Sequence, residues 1–495
     1  MRRGRTVSRG YRFAPPDSDG YYDLSPVWLA TWSDGTWLNG QPAAVKEVSH
    51  DTRTLQPGDI FIALRGNRFD GHDFVEKAFH KGASGAIVCR RRVGEFGFRM
   101  PLLAVEDTRE ALYRIAWGHR RSLPSLVIGV SGSVGKTSVK EMIALILEAG
   151  GATVRSPASW NNAVGLPLSI LKLRHRHRYG VFEVGINRPG EMEDLAGLLE
   201  PDWAVVTCVG PVHLEFLGSV QEVARQKRRL LEAVKPDGKV FLDLDHEWFE
   251  YLRSGARGRV VTVSAEGRED ADYWVEMCNG GHEFFVHERG SGESHRYGIS
   301  FPGAHMVRNA LFGIAVGREA GVPAREIAAA LGRFEPPAMR WETRLEAGVL
   351  FINDAYNANP LSMRAAISTF GESTRARGKW LVLGGMRELG TQEDEEHRKL
   401  GEFIAGGPWS GVFLVGELGG RISAGLEGRR VGFPVICCRN AAEAARMLAQ
   451  RVRRGDAVLL KGSRMERIED VLQHWCKLQG RPFSQREDPD AEGDI

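Results

Sequence analysis

The sequence predicts an α/β protein of three domains, and three observations carry that reading. Short apolar runs alternate with helically spaced apolar positions through most of the chain, the pattern of parallel sheets covered by helices. One alternation is broken by a glycine-bearing loop that opens a helix with Lys136-Thr137, the signature of a central P-loop domain built on a parallel sheet. The chain has 495 residues, and domains of ~100–200 residues make three the natural count.

Residues 1–20 read as a flexible basic tail carrying Arg2, Arg3, Arg5, Arg9 and Arg12. Residues 21–124 form a small mixed N-terminal domain. It has strand-like runs at 59–64 and 86–88, an apolar run ending at Val105, and helices at 74–81 and 109–119. Pro124 marks its end. Residues 125–335 make the central domain, with strands at 126–130, 181–184, 204–208 and 239–242. The polar, glycine-rich stretch 258–296 reads as a small antiparallel excursion. Pro336-Pro337 opens a smaller, Rossmann-like α/β domain at 336–480, with strands at 349–353, 380–384, 411–415 and 457–460. Its helices at 360–370 and 440–452 begin after Asn359 and Asn440, both natural caps. Residues 481–495 read as a disordered tail.

Composition narrows the function classes. Lys+Arg 66 against Asp+Glu 63 leaves a net charge of +3, which gives no global footprint for a nucleic-acid partner. No run approaches the ~20 apolar residues of a membrane span, and no apolar h-region follows the basic start. The six cysteines form no C-x-x-C pair, so reduced thiols and a cytoplasmic location are expected.

The chemistry begins at Gly132-Ser133-Val134-Gly135-Lys136-Thr137-Ser138. Backbone N–H groups and a helix N-terminus hold oxyanions, the lysine neutralises phosphate charge and the threonine hydroxyl suits Mg²⁺. The longer P-loop pattern wants glycine where this chain has Val130. Val139, Met142, Ile143, Ile146 and Leu147 fall on one helical face behind the loop.

Further candidates lie at strand ends, where parallel sheets place ligands. Glu183 ends an apolar strand and suits Mg²⁺, which takes oxygen ligands and few carboxylates. His213 follows another strand end; packing residue and metal ligand both stay open. Lys227 sits among Arg225, Arg228 and Arg229, which by itself reads as a solvated helix face. Asn161-Asn162 before Gly165 reads first as turn chemistry. Arg340 is either a surface arginine or a phosphate contact from a domain junction. Asn353-Asp354-Ala355-Tyr356-Asn357-Ala358-Asn359-Pro360 concentrates amides and a carboxylate at a strand end, a density that points to use. Lys461-Gly462-Ser463-Arg464 suits a carboxylate or phosphate partner, or a solvated basic turn.

Together these segments resemble the Mur ligases, the ATP-dependent amide-forming enzymes of cell-wall precursor synthesis, over about residues 45 to 475. Within the family the chain is most similar to the member that adds D-alanyl-D-alanine to a UDP-N-acetylmuramoyl-tripeptide. The motifs are the P-loop with Ser138-Val139-Lys140-Glu141-Met142, Asn161-Asn162-x-x-Gly165-x-Pro167, Glu183-x-Gly185, Gly303-x-His305-x-x-x-Asn309-Ala310, the 353–363 segment, Met386-Arg387-Glu388-Leu389-Gly390 and Lys461-Gly462-Ser463-Arg464. Asp51-Thr52-Arg53, Pro57-Gly58-Asp59 and Asp70-Gly71-His72 resemble the first domain.

The resemblance implies UDP-substrate, ATP and amino-substrate domains that close on their substrates, usually in a monomer. It implies ATP and Mg²⁺ as cofactors, with the loop residues, Asn309, Arg340 and Asp354 on the nucleotide. It implies Thr137, Glu183 and His213 on metal, with Lys227, if carbamylated, supporting a second ion. Thr52, Arg53, Asn161 and Asn162 would face the UDP-substrate; Tyr356, Asn357, Asn359, Lys461, Ser463 and Arg464 the amino-substrate. Three positions depart from the family pattern: Cys208 in place of Asn, Gly385 in place of Asp, and Arg228-Arg229 after Lys227. Two alternatives remain: another Mur ligase or a folylpolyglutamate-synthase-like enzyme, and a non-catalytic P-loop binding protein.

Overall fold

The computed structural model describes residues 24–66, 68–97, 100–279 and 282–483. The expected tail 1–20 lies outside the described residues, as does 484–495 of the expected tail 481–495. Two compact units emerge. The first comprises the described residues through Ser125 together with Pro167–Arg178. The second comprises Leu126–Leu166 and the chain from Tyr179 onward.

The first unit is built on a five-stranded sheet ordered Thr36–Leu38, Leu102–Val105, Gly85–Cys89, Ile60–Ile62, Val48–Ser49. All its pairs are parallel except the edge strand Thr36–Leu38. Helix Thr108–Ser122 starts where Asp107 accepts hydrogen bonds from the Arg109 and Glu110 amides. Residues 167–178 are tied to this unit by Lys172 to Glu47 at 2.9 Å, by Arg174 to the Lys46 carbonyl at 2.9 Å and by His119 to the Leu173 carbonyl at 2.9 Å.

The second unit carries two sheets. The nine-stranded one runs Ser294–Gly298, Glu283–Glu288, Tyr273–Asn279, Arg259–Ser264, Lys239–Asp243, Trp203–Val206, Leu126–Ser131, Tyr179–Glu183, Thr153–Arg155. The antiparallel excursion is real but starts later than the composition suggests. Arg259–Ser264 is a parallel neighbour of Lys239–Asp243, and only the strands from Tyr273 onward form the meander. Polar composition misplaced that boundary because the polar residues Arg259, Thr262 and Ser264 interrupt the buried Val261 and Val263.

The six-stranded sheet runs Glu342–Glu346, Val349–Asn353, Ala457–Lys461, Lys379–Leu383, Gly411–Val415, Val435–Cys438. Its only antiparallel member is the edge strand Glu342–Glu346. All four expected strands are present; they are joined by Glu342–Glu346, whose mostly polar residues gave no apolar signal, and by Val435–Cys438, a four-residue apolar edge strand that the sequence reading passed over. Helix Lys136–Leu147 buries the predicted face, with Val139, Met142, Ile143, Ile146 and Leu147 in the core. Burial of that kind is worth ~1.5–3 kcal/mol per large aliphatic side chain.

Candidate active site

Parallel register lines up the carboxyl ends of three strands in the nine-stranded sheet. Val130 pairs with Glu183 on one side and with Val205 on the other. Val130 is buried within strand Leu126–Ser131, so the missing glycine is a strand residue; the loop proper is Gly132–Gly135. Both of its glycines are required. At Gly132 (φ +151°) a Cβ would lie 1.8 Å from Thr207 Oγ1, and at Gly135 (φ +82°) 2.7 Å from Asn309 Oδ1. The loop is fastened to the neighbouring strand end: the Ser133 amide donates to the Cys208 carbonyl at 2.9 Å, the Gly210 amide donates to Ser133 Oγ at 2.9 Å, and Thr207 Oγ1 donates to the Val134 carbonyl at 2.5 Å. Cys208 Sγ lies 3.7 Å from the Val134 carbonyl, so the unusual cysteine joins the same fastening as a weak donor.

A cavity of about 410 Å³ opens over this edge. Among its lining residues are Gly132 to Ser138, Asn161, Glu183, His213, Lys227, Asn309, Arg340, Asp354, Tyr356, Asn357, Asn359 and Lys461. Glu183 is 1% exposed. Its Oε2 accepts from Thr137 Oγ1 at 2.7 Å, its Oε1 from Asn161 Nδ2 at 2.7 Å, and its amide is held by Ser156 Oγ at 3.1 Å. No lysine, arginine or histidine among the described residues pairs with this buried carboxylate. A buried charge without a partner is costly, and a cation in the cavity would compensate it. The donor set of hydroxyl, carboxylate and imidazole at Thr137, Glu183 and His213 fits a divalent ion.

The cations of the cavity are under pressure from burial. Among the described residues Lys136 Nζ bonds only the Gly132 carbonyl, at 3.0 Å. Burial pulls its pKa down, Glu183 opposes that shift, and Arg340 adds to it. Lys227 is 3% exposed, which overturns the solvated-face reading of its helix. Its amine makes no hydrogen bond or ion pair with a described residue, and burial, reinforced by Lys136, lowers its pKa to about 7. Arg228 and Arg229 face away instead, each paired with Glu232. His305, also in the lining, is driven by burial to about 4 and is therefore neutral at pH 7.

Arg340 is no surface arginine. Its Nη2 donates to Thr137 Oγ1 at 2.9 Å, and its guanidinium lies 4.0 Å from the centre of the Tyr356 ring. Tyr356 thus serves as a platform for Arg340, a use that its place among amino-substrate candidates did not anticipate. Asp354 Oδ1 accepts from the Trp341 amide at 3.0 Å, and Oδ2 from Lys461 Nζ at 2.6 Å. Lys461 also donates to the Asn357 carbonyl at 3.1 Å. Asn359 caps helix Pro360–Ser373 in a reciprocal capping box with Ser362. Ser463 Oγ reaches Asn357 Oδ1 at 3.5 Å.

Some candidates do not join the cavity. Arg464 pairs with Glu469 at 2.5 Å and is absent from the lining. Asn162 Oδ1 accepts from the Val164 and Gly165 amides, the turn role its spacing suggested. Thr52 and Arg53 belong to the first unit, where Arg53 pairs with Asp51 at 2.6 Å and Thr52 is buried. The absent aspartate at position 385 also has a packing reason: a Cβ on Gly385 would lie 2.2 Å from Leu418 Cβ.

Three contributors had no assigned role in the sequence reading. Lys140, fully buried, donates to the Ser156 and Ala158 carbonyls at 2.7 and 2.6 Å and so shapes the segment that holds Glu183. Ser156 anchors Glu183 directly. Glu388 Oε2 lies 2.5 Å from His213 Nδ1. Lys140 and Glu388 were inside quoted motifs, but their partners lie in loops that no periodicity predicts.

Comparison with known proteins shows the family. The Mur ligase family catalytic domain covers residues 44–120, the Mur ligase middle domain 130–317, and the Mur ligase glutamate ligase domain 339–464. The chain is 34% identical to the UDP-N-acetylmuramoyl-tripeptide–D-alanyl-D-alanine ligase of Treponema pallidum, across 86% of this chain and 93% of that protein. It is 33% identical to the enzyme of that name from Bacillus subtilis, across 90% and 96%. A crystal structure of MurF from Acinetobacter baumannii superposes with a TM-score of 0.80 at 29% identity, across 92% and 98%. MurF ligase from Thermotoga maritima in complex with ADP gives 0.75 at 27%, across 88% and 99%. The chain belongs to the Mur ligase family, on the branch of the UDP-N-acetylmuramoyl-tripeptide–D-alanyl-D-alanine ligases.

Proposed function

We propose that this chain joins D-alanyl-D-alanine to UDP-N-acetylmuramoyl-tripeptide, with ATP converted to ADP and phosphate. The observation that supports it most is the single cavity gathering the Lys136 loop, the Glu183–Thr137 pair and the Asn353–Pro360 segment. The relatives of that name, aligned over most of both chains, point the same way. In this reading residues 21–124 hold the UDP portion, with Thr52 and Arg53 among the contacts, 125–335 hold ATP, and 336–480 receive the amino-substrate. The enzyme works in the cytoplasm as a monomer.

The terminal carboxylate of the tripeptide is a poor acyl donor. It takes the γ-phosphoryl group of ATP and becomes an acyl phosphate as ADP departs. The amine of D-alanyl-D-alanine then attacks the carbonyl carbon. The tetrahedral adduct expels phosphate with the C–O bond pair, and the nitrogen loses its proton to leave the amide. Lys136 and the loop amides hold the phosphates, and Arg340 moves from Thr137 to the transferring group. Thr137, Glu183 and His213 would hold Mg²⁺, which when bound neutralises charge on the transferring phosphoryl group. Neutral Lys227 can add CO₂, forming a carbamate and releasing a proton; that carboxylate would support a second ion. Carbon-13 NMR with labelled bicarbonate, comparing the wild type with Lys227→Met, reads that carbamate.

ADP release with purified protein, UDP-muramoyl-tripeptide and varied acceptors tests the reading. Turnover dependent on D-alanyl-D-alanine is expected. Turnover only with a single amino acid or glutamate would assign another ligase, and ATP binding without turnover a non-catalytic protein.

A further inference from the structure

We propose that Glu388 is a positioning residue for His213, holding its imidazole by Nδ1 so that Nε2 is left to a divalent ion shared with Glu183 and Thr137. The two residues are 175 positions apart in the chain and lie 2.5 Å apart through Oε2 and Nδ1. An ionised carboxylate only accepts, so this bond holds the proton on Nδ1, and in the neutral ring the lone pair is then on Nε2. Among the described residues nothing engages Nε2, and His213 lines the cavity with Glu183 and Thr137. A carboxylate behind a histidine fixes its ring and makes the other nitrogen a better metal ligand.

The pairing is built rather than incidental. The Glu215 amide donates to the Glu388 carbonyl at 3.0 Å, so the two loops are joined by backbone as well as by side chains. Gly390 continues the close approach: a Cβ there would lie 3.0 Å from Glu215 Cα. His213 and Glu388 both occupy the left-handed region, at φ +52° and +62°, which non-glycine residues hold only where surroundings enforce it. Glu388 has no other ion-pair partner among the described residues, whereas its neighbour Arg387 is taken by Glu466 at 2.7 Å. Glu388 follows strand Lys379–Leu383 of the six-stranded sheet, while His213 follows strand Trp203–Val206 of the nine-stranded sheet. The contact therefore makes the metal site answer to the placement of the 384–390 loop.

This inference rests on the metal-assisted ligase reading, and its test separates the two. Mn²⁺ binding in the presence of ADP, followed by electron paramagnetic resonance, is compared in the wild type, Glu388→Ala and Glu388→Gln, beside the Mg²⁺ concentration for half-maximal turnover. Glu388→Ala should weaken Mn²⁺ about 10–100-fold and raise the Mg²⁺ requirement in step, with the KM for D-alanyl-D-alanine unmoved. Glu388→Gln, which keeps an acceptor without charge, should fall between, and it serves if the alanine variant does not fold. Lower kcat with unchanged Mn²⁺ affinity in both variants would overturn the inference while leaving the ligase reading intact. Weaker Mn²⁺ binding in the variants than in the wild type, when the wild type itself turns over no acceptor, would sustain the inference and sink the ligase reading.

Discussion

Among the described residues at the edge of the nine-stranded sheet, Lys136 has one carbonyl for a hydrogen-bond partner, Lys227 has none, and the buried Glu183 carboxylate has no ion-pair partner. At the edge of the six-stranded sheet, Lys461 is as buried as Lys227, yet it binds Asp354 and the Asn357 carbonyl, and Asn359 closes a capping box. Both edges follow the same rule of parallel strands ending in polar loops. The first leaves charge uncompensated where phosphate and metal would supply it; the second has already spent its polar groups on one another. Open charge marks the ligand position, and closed charge marks the scaffold that presents it.

The largest test of that contrast is Lys136→Ala, expected to lower kcat by about 10³-fold with little change in thermal stability, because its loss removes charge from the ligand rather than from the fold. ADP-release kinetics beside thermal unfolding checks both halves; near-normal turnover would sink the proposed phosphate role. Lys461→Ala should do the reverse. It strands Asp354 beside the Trp341 amide, and losing one partner of a buried pair costs about 3 kcal/mol. A denaturant midpoint equal to the wild type would show that this edge is not closed in the sense argued here.

Lys227 gives the contrast a pH signature. Its folded pKa is about 7 against 10.5 unfolded. The unfolded chain therefore binds the extra proton between those values, so stability gained from this residue's environment is present above 10.5 and lost as pH falls to 7. In carbonate-free buffer, Lys227→Met should stabilise the protein most at pH 7 and below, with the advantage shrinking as pH rises toward 10.5. A pH-independent difference would place the amine in solvent.

Legibility followed the same division. The Lys136 loop could be read from sequence because strand, glycine turn and helix are local and contiguous. Glu183 was readable because a carboxylate ending an apolar strand is anomalous. The His213–Glu388 pair, the Lys140 anchor and the Arg340–Tyr356 stack were not, since each joins segments through loop geometry that carries no period. From its neighbours alone Lys227 read as solvated, and only the family resemblance made it a candidate, because one buried lysine in a charged helix leaves no trace in composition. Gly385 shows the converse: its departure from the family pattern was visible, but the cause, Leu418 packed against it, lies 33 positions away.

The smallest expected effect sharpens the meaning of the closed edge. Asn359 was placed among amino-substrate contacts, yet its Oδ1 accepts from the Ser362 amide at 2.9 Å while Ser362 Oγ accepts from the Asn359 amide at 3.0 Å. A residue committed this way stabilises helix Pro360–Ser373, and replacing such a cap by alanine costs about 1 kcal/mol. Asn359→Asp keeps the cap, so it should hold the wild-type unfolding midpoint where Asn359→Ala does not. The two variants also separate scaffold from contact. If Asn359 acts only as a cap, Asn359→Asp keeps the wild-type KM for D-alanyl-D-alanine. If its amide also touches the dipeptide, the aspartate raises that KM at unchanged stability, because a carboxylate can accept from an ammonium but cannot donate to a carboxylate.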